Sequence, residues 1–172
     1  PSLATRLWQS QWDACTPGES YQGWMTRYPC TSYWDGVGCN SAGEVTALKV
    51  HDYSEGQLSA GTIPTEIGML STLTALSLVF VSGKGTIPTE IGLLLETTAI
   101  QLYSPYSSFS GTIPSELGAM FKMSGPLDLS MNHLTGTLPS QLGPAFADMF
   151  SSGGIRLNWN SLTGSVMMLR AA

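Results

Sequence analysis

The chain is 172 residues long, 42% hydrophobic but only 11% charged, with seven Lys/Arg against twelve Asp/Glu and a formal net charge of −5. That composition supplies one continuous core, and its few scattered cations exclude the clustered positive surface that nucleic acid or an anionic membrane requires. No apolar run reaches the ~18 residues of a membrane span, and no signal-peptide pattern opens the sequence at Pro1, which reads as a processed chain or part of a longer one.

Residues 2–14 predict an amphipathic helix: Ser2 can cap it, and Leu3, Leu7, Trp8 and Trp12 recur on one broad face that should lie over the first coil of the repeats beyond it. Residues 24–40 then carry Cys30 and the run Trp34-Asp35-Gly36-Val37-Gly38-Cys39. Cys15, the third cysteine, reads as a buried thiol behaving as a small hydrophobe rather than as an intermolecular bond. The cysteines and the two distant histidines, His51 and His133, show no ligand spacing of the C-x-x-C kind, so neither a metal nor a cofactor is expected.

From residue 45 onward the chain repeats. Short alternating stretches, Leu48-Lys49-Val50, Leu76-Ser77-Leu78, Ile100-Gln101-Leu102, Leu127-Asp128-Leu129 and Ile155-Arg156-Leu157, predict strands that bury one face and present the other. Stacked, they form a parallel sheet whose open, concave side carries Lys49, Ser77, Gln101, Asp128 and Arg156, a mixed surface of no single charge sign. After the first strand comes the octad Gly61-Thr62-Ile63-Pro64-Thr65-Glu66-Ile67-Gly68, which returns nearly unchanged at 85–92, 111–118 and 136–143 and degenerates at Gly164-Ser165-Val166. The leading glycines are 24, 26, 25 and 28 residues apart, a period in the middle twenties that signals a leucine-rich solenoid.

Each octad position has a physical reading. The leading glycine permits a sharp bend, and proline (Pro64, Pro88, Pro114, Pro139) fixes φ and removes a donor. The next apolar residue (Ile67, Ile91, Leu117, Leu142) points inward, and the closing glycine suits a short helical turn stopped by a left-handed residue. The expected core is Leu76, Leu78, Ile87, Leu102, Ile113, Leu127, Leu129, Leu138 and Leu157, with Ser77 on the open face.

The run Leu127-Asp128-Leu129-Ser130-Met131-Asn132-His133-Leu134-Thr135-Gly136-Thr137-Leu138-Pro139 closely resembles the plant-type extracellular leucine-rich repeat, L-x-L-x-x-N-x-L-x-G-x-[IL]-P, and the resemblance extends over residues 45–166. It implies an α/β solenoid, a right-handed horseshoe of about five repeats with a parallel concave sheet and short helical turns on the convex side. It also implies that Asn132 and Asn160 belong to the buried asparagine ladder of that family; Val81 and Ser107 take the equivalent places earlier, so the ladder should be weak over the first half. The W-x-G-V-x-C run resembles the family's N-terminal cap, which implies a Cys30–Cys39 disulfide and an oxidising compartment, outside the cell or in an organelle lumen. Residues 1–44 are then the cap and 45–172 the solenoid, together one structural domain. The chain lacks any N-x-[ST] sequon, which weakens a cell-wall location.

The receptor ectodomains and polygalacturonase-inhibiting proteins of this family imply a non-enzymatic module that binds a protein; a permanently bound architectural subunit is the alternative. No G-x-S-x-G, H-E-x-x-H or phosphate-binding loop argues for an enzyme. Two repeats are longer than the rest, and their extra residues, in 51–57 and 103–108, put His51, Tyr53, Tyr103 and Tyr106 on one rim as partner-binding candidates. The last octad collapses into Val166, Met167, Met168 and Leu169 with no second cysteine-bearing cap, so a continuation or a partner is expected to cover that end. Thr62, Thr86, Thr112, Thr137 and Ser165 recur once per coil, as do Glu66, Glu90, Glu116 and Gln141. A hydroxyl ladder on a flat face could bind ice and an acidic ladder cations; the simpler readings are a second short strand for the threonines and an early helical-turn position for the glutamates.

Overall fold

The structure, a computed structural model, describes residues 30, 36–51, 62–79, 84–103, 109–143, 149 and 154–164. The expected N-terminal helix lies outside these residues. The strands are β1 (Val37–Cys39), β2 (Val45–His51), β3 (Ala75–Val79), β4 (Ala99–Gln101), β5 (Ser110–Thr112), β6 (Leu127–Asp128), β7 (His133–Gly136), β8 (Ile155–Arg156) and β9 (Ser161–Leu162). They form a six-stranded sheet in the order β1-β2-β3-β4-β6-β8 and a three-stranded sheet β5-β7-β9. From β2 onward the large sheet is parallel, and β1 closes its N-terminal edge in antiparallel pairing with β2.

The repeat in the sequence becomes a register in space. Leu48, Leu76, Ile100, Leu127 and Ile155 are successive partners across the large sheet, because each coil places its strand directly beside the last. All but Ile155 join the octad residues Ile63, Ile87 and Ile113 and the turn residues Ile67, Ile91 and Leu117 in one continuous core, against which Ile155 packs half-buried. Leu78, Leu138 and Leu157 pack against that core but are only partly buried. Phe109 occupies the leucine position ahead of Gly111 and is also fully enclosed.

The two sheets are joined by 3-10 turns at Thr65–Met69, Thr89–Leu93 and Ser115–Ala119. Pro64, Pro88 and Pro114 precede them with φ of −74°, −70° and −61° and extended ψ, so each proline starts a turn without needing an amide donor. Glu66, Glu90 and Glu116 fall in the first turn, where a negative charge is favoured.

The glycines divide the work differently from the sequence reading. The leading glycines Gly85, Gly111, Gly136 and Gly164 have φ between 77° and 93°, whereas the closing ones are not left-handed at all. Closing glycines are required by close approach: a Cβ on Gly68, Gly92 or Gly118 would meet the backbone oxygen of Glu90, Glu116 or Gln141 at 2.7, 2.5 or 2.6 Å. Consecutive 3-10 turns thus stack backbone on backbone, and no side chain fits between.

The expected disulfide is formed: Cys30 and Cys39 are bonded with their Cα atoms 5.7 Å apart, tying the strand that closes the sheet edge to the chain before it. Gly92→Ala should destabilise the fold by roughly 1–3 kcal/mol through overpacking of the turn stack. Leu129→Ala should cost roughly 2–5 kcal/mol through lost burial and a residual cavity. Urea denaturation followed by circular dichroism measures both.

Candidate functional site

The five residues expected along the concave side do share one register row, Lys49, Ser77, Gln101, Asp128 and Arg156. They are not equally open. Ser77 and Asp128 are only 4% and 3% exposed, which corrects the reading that put both on the surface. Both are short side chains between longer neighbours, and both are held down by hydrogen bonds. Ser77 Oγ donates to Gln101 Oε1 at 3.1 Å, and Asp128 Oδ1 accepts from the Ser130 hydroxyl at 2.6 Å and amide at 3.1 Å. Arg156 Nη1 approaches the other carboxylate oxygen at 3.4 Å while its side chain stays 60% exposed. The row therefore presents Lys49, half-covered Gln101 and Arg156 to solvent, with its one carboxylate neutralised beneath them.

The rim is only partly described. Tyr103 is half-buried beyond β4, and His51 ends β2 opposite Val79, with its side chain outside the described residues. Tyr53, Tyr106, Val166, Met167, Met168 and Leu169 also lie outside them. Two residues that the sequence reading passed over stand out here: Met131 and Trp159, on adjacent coils, hold left-handed backbone at φ 57° and 61°. Both side chains are exposed, Trp159 to 75%. Their signal was available, since each immediately precedes a ladder asparagine. The Asn132 amide donates to the Trp159 carbonyl at 3.1 Å, so this bend is part of the coil-to-coil pairing.

The second sheet exposes a different chemistry. Thr62, Thr86, Thr112 and Thr137 are all exposed, one per coil, as are Thr135 and Thr163, while Ser110 is half-exposed. Thr86 pairs with Ser110, and Thr112 with Thr135, which pairs in turn with Ser161.

No family model matches the chain, and no curated protein does. Solved structures do. A plant ice-binding protein superposes with a TM-score of 0.68 at 29% identity, over 84% of this chain and 44% of its own. The PEPR1–AtPEP1 structure gives 0.72 at 25% identity over 95% and 22%. The ectodomain of the receptor kinase SOBIR1 from Arabidopsis thaliana gives 0.66 at 24% identity over 95% and 97%, a likeness of fold. The chain thus spans less than half the length of the first two. These similarities support a plant extracellular leucine-rich-repeat family. The Cys30–Cys39 bond points to an oxidising environment. Among the described residues no helix is long and apolar enough to cross a membrane, and no group of His, Cys, Asp or Glu could hold a metal ion.

The leucine-rich repeats here are joined by two kinds of polar ladder. In the second half, Asn132 Nδ2 donates to the carbonyls of Leu102, Leu129 and Ser130, and Asn160 Nδ2 to those of Leu129 and Leu157 while its Oδ1 accepts the Leu134 amide. Val81 and Ser107, which take the asparagine places in the first half, lie outside the described residues; threonine hydroxyls there bond a separate set of carbonyls, Thr72 donating to Val45, Thr74 to Thr46, Thr97 to Leu73 and Thr98 to Thr74. Thr97 is fully buried, so its 2.6 Å bond satisfies a carbonyl that water cannot reach. Asn132→Ala should lower stability by about 1–3 kcal/mol, and Thr97→Val by a similar amount, because each strands buried carbonyls. Thermal unfolding of the two variants against the wild type checks this; no loss at Thr97 would show that its ladder carries no load.

Proposed function

We propose that the chain is a non-enzymatic protein-interaction module: a right-handed horseshoe of about five repeats behind a helical cap of residues 1–44, holding a protein partner on its concave face and rim. The observation that carries this reading is the juxtaposition on one coil of Arg156, exposed and with donors to spare, and Trp159, exposed beside the concave sheet. Arginine and tryptophan are the residue types over-represented where interfaces concentrate their affinity. The PEPR1–AtPEP1 neighbour, itself a complex, supports the assignment. The partner should carry carboxylates, because the concave row exposes Lys49 and Arg156 while Asp128 is spent internally. Glu66, Glu90 and Glu116 sit instead on the convex turns. Secretion, or residence in an oxidising lumen, fits the disulfide.

A photo-cross-linking residue at Gln101 should capture a protein from native material that one at Glu96, on a convex turn, does not. With that partner purified, Arg156→Ala and Trp159→Ala should each weaken binding about 10-fold or more, and affinity should fall as salt rises. Equal capture at both positions, or full affinity in both variants, would reject the concave face.

Ice binding is the second reading. It is favoured by the exposed threonine column and supported by the similarity to a plant ice-binding protein. Inhibition of ice recrystallisation by the wild-type chain tests it directly.

A further inference from the structure

Building on the ice-binding reading, we infer that the ice-binding plane is the outer face of the three-stranded sheet, a two-dimensional hydroxyl array centred on Thr112, Thr135, Thr137 and Ser161, and not a single threonine column. The register produces the second dimension. Strand pairing in this sheet is offset from the repeat, so the threonine after one leading glycine lies beside the hydroxyl residue before the next: Thr86 beside Ser110, and Thr112 beside Thr135. Ser161 continues the second row. Neighbouring rungs of a sheet are ~4.8 Å apart and residues two apart along a strand roughly 6–7 Å, and the oxygen repeats of the ice lattice fall in the same range.

The array is fixed in two ways. A Cβ added to Gly111, Gly136 or Gly164 would come within 2.9, 3.0 or 3.2 Å of Cγ2 of Thr86, Thr112 or Thr137, so each threonine methyl is seated at the foot of the next coil. A β-branched side chain held at its methyl has little χ1 freedom left. The other positions are locked through oxygen: the hydroxyls of Ser110, Thr135 and Thr163 donate to the carbonyls of Gly85, Gly111 and Gly136 at 3.3, 3.2 and 3.2 Å. Their protons are committed inward, which leaves lone pairs as acceptors toward solvent. Thr86, Thr112 and Thr137 make no side-chain hydrogen bond among the described residues, so their hydroxyls can turn to match the water they meet. Immobile acceptors beside adaptable hydroxyls lose little entropy when they engage a crystal that cannot itself adapt. The concave sheet offers no such plane, since charged Lys49 and Arg156 stand above its floor. Within the array, His133 interrupts the row begun by Thr86 and Ser110, which confines the clean surface to the later coils.

The test uses the full chain and measures recrystallisation inhibition and thermal hysteresis for the wild type, Thr112→Lys, Thr137→Lys, and Ser71→Lys on an exposed turn elsewhere. We expect the two array variants to need at least tenfold more protein for the same inhibition, at unchanged Tm, and Ser71→Lys to match the wild type. If either array variant unfolds, the other, on the adjacent coil, decides. An inactive wild type would remove the ice-binding reading and this inference with it. An active wild type with fully active array variants would keep the reading and overturn this face as its site.

Discussion

Every other feature of this solenoid depends on how closely one coil can approach the next. At the 3-10 turns the backbones of successive coils come so near that even a methyl group on Gly68, Gly92 or Gly118 would collide with the oxygen of the following turn. At the opposite corner, the leading glycines take positive φ and press their α-carbons against a threonine methyl of the coil before. Two glycine contacts per coil set the stacking distance, and the register of both sheets follows from it. With the register fixed, the leucines of each strand fall on those of the next and the core is continuous.

Stacking at that distance brings backbone carbonyls of one coil within reach of the next, and each needs a donor. Besides backbone amides, asparagine amides and threonine hydroxyls both supply such donors. Asn132 satisfies several carbonyls at once from a buried position, whereas the threonines serve one each. A hydroxyl on a β-branched residue does this well because the same branching favours the extended backbone beside it. The two sets of bonds serve different carbonyls, the threonines those near the start of each strand and the asparagines those at its end.

The two sheets end with opposite surface character from the same logic. On the large sheet the rung residues vary from coil to coil, so the surface is chemically distinctive and suited to one partner, with Lys49 and Arg156 exposed on its rungs and Trp159 exposed just beyond β8. On the small sheet nearly every outward rung is Ser or Thr, which gives repetition without distinction. Repetition suits a ligand that is itself periodic. The rim of the large sheet adds strained backbone at Met131 and Trp159, where non-glycine residues hold left-handed conformations that cost of order 1 kcal/mol or more and put large side chains into solvent.

The sequence by itself determined the period, the strand positions, most of the buried leucines and the proline-started turns, because each rests on a local pattern repeated coil after coil; the cap disulfide rested instead on the resemblance of one unrepeated run, Trp34 to Cys39. Leu127 through Pro139 alone contains nearly all of the repeated pattern. What it could not determine was which rung residues stay open. Ser77 and Asp128 occupy outward positions by alternation, yet their exposure depends on the lengths of side chains about a full repeat away in sequence, Gln101 and Arg156. The role of the closing glycines was equally hidden, since a glycine needed for positive φ and one needed for contact look alike in a sequence. Only the tertiary structure decided that the threonines form an array rather than a column, because the offset pairing of Thr112 with Thr135 is a property of two stacked coils and of neither alone.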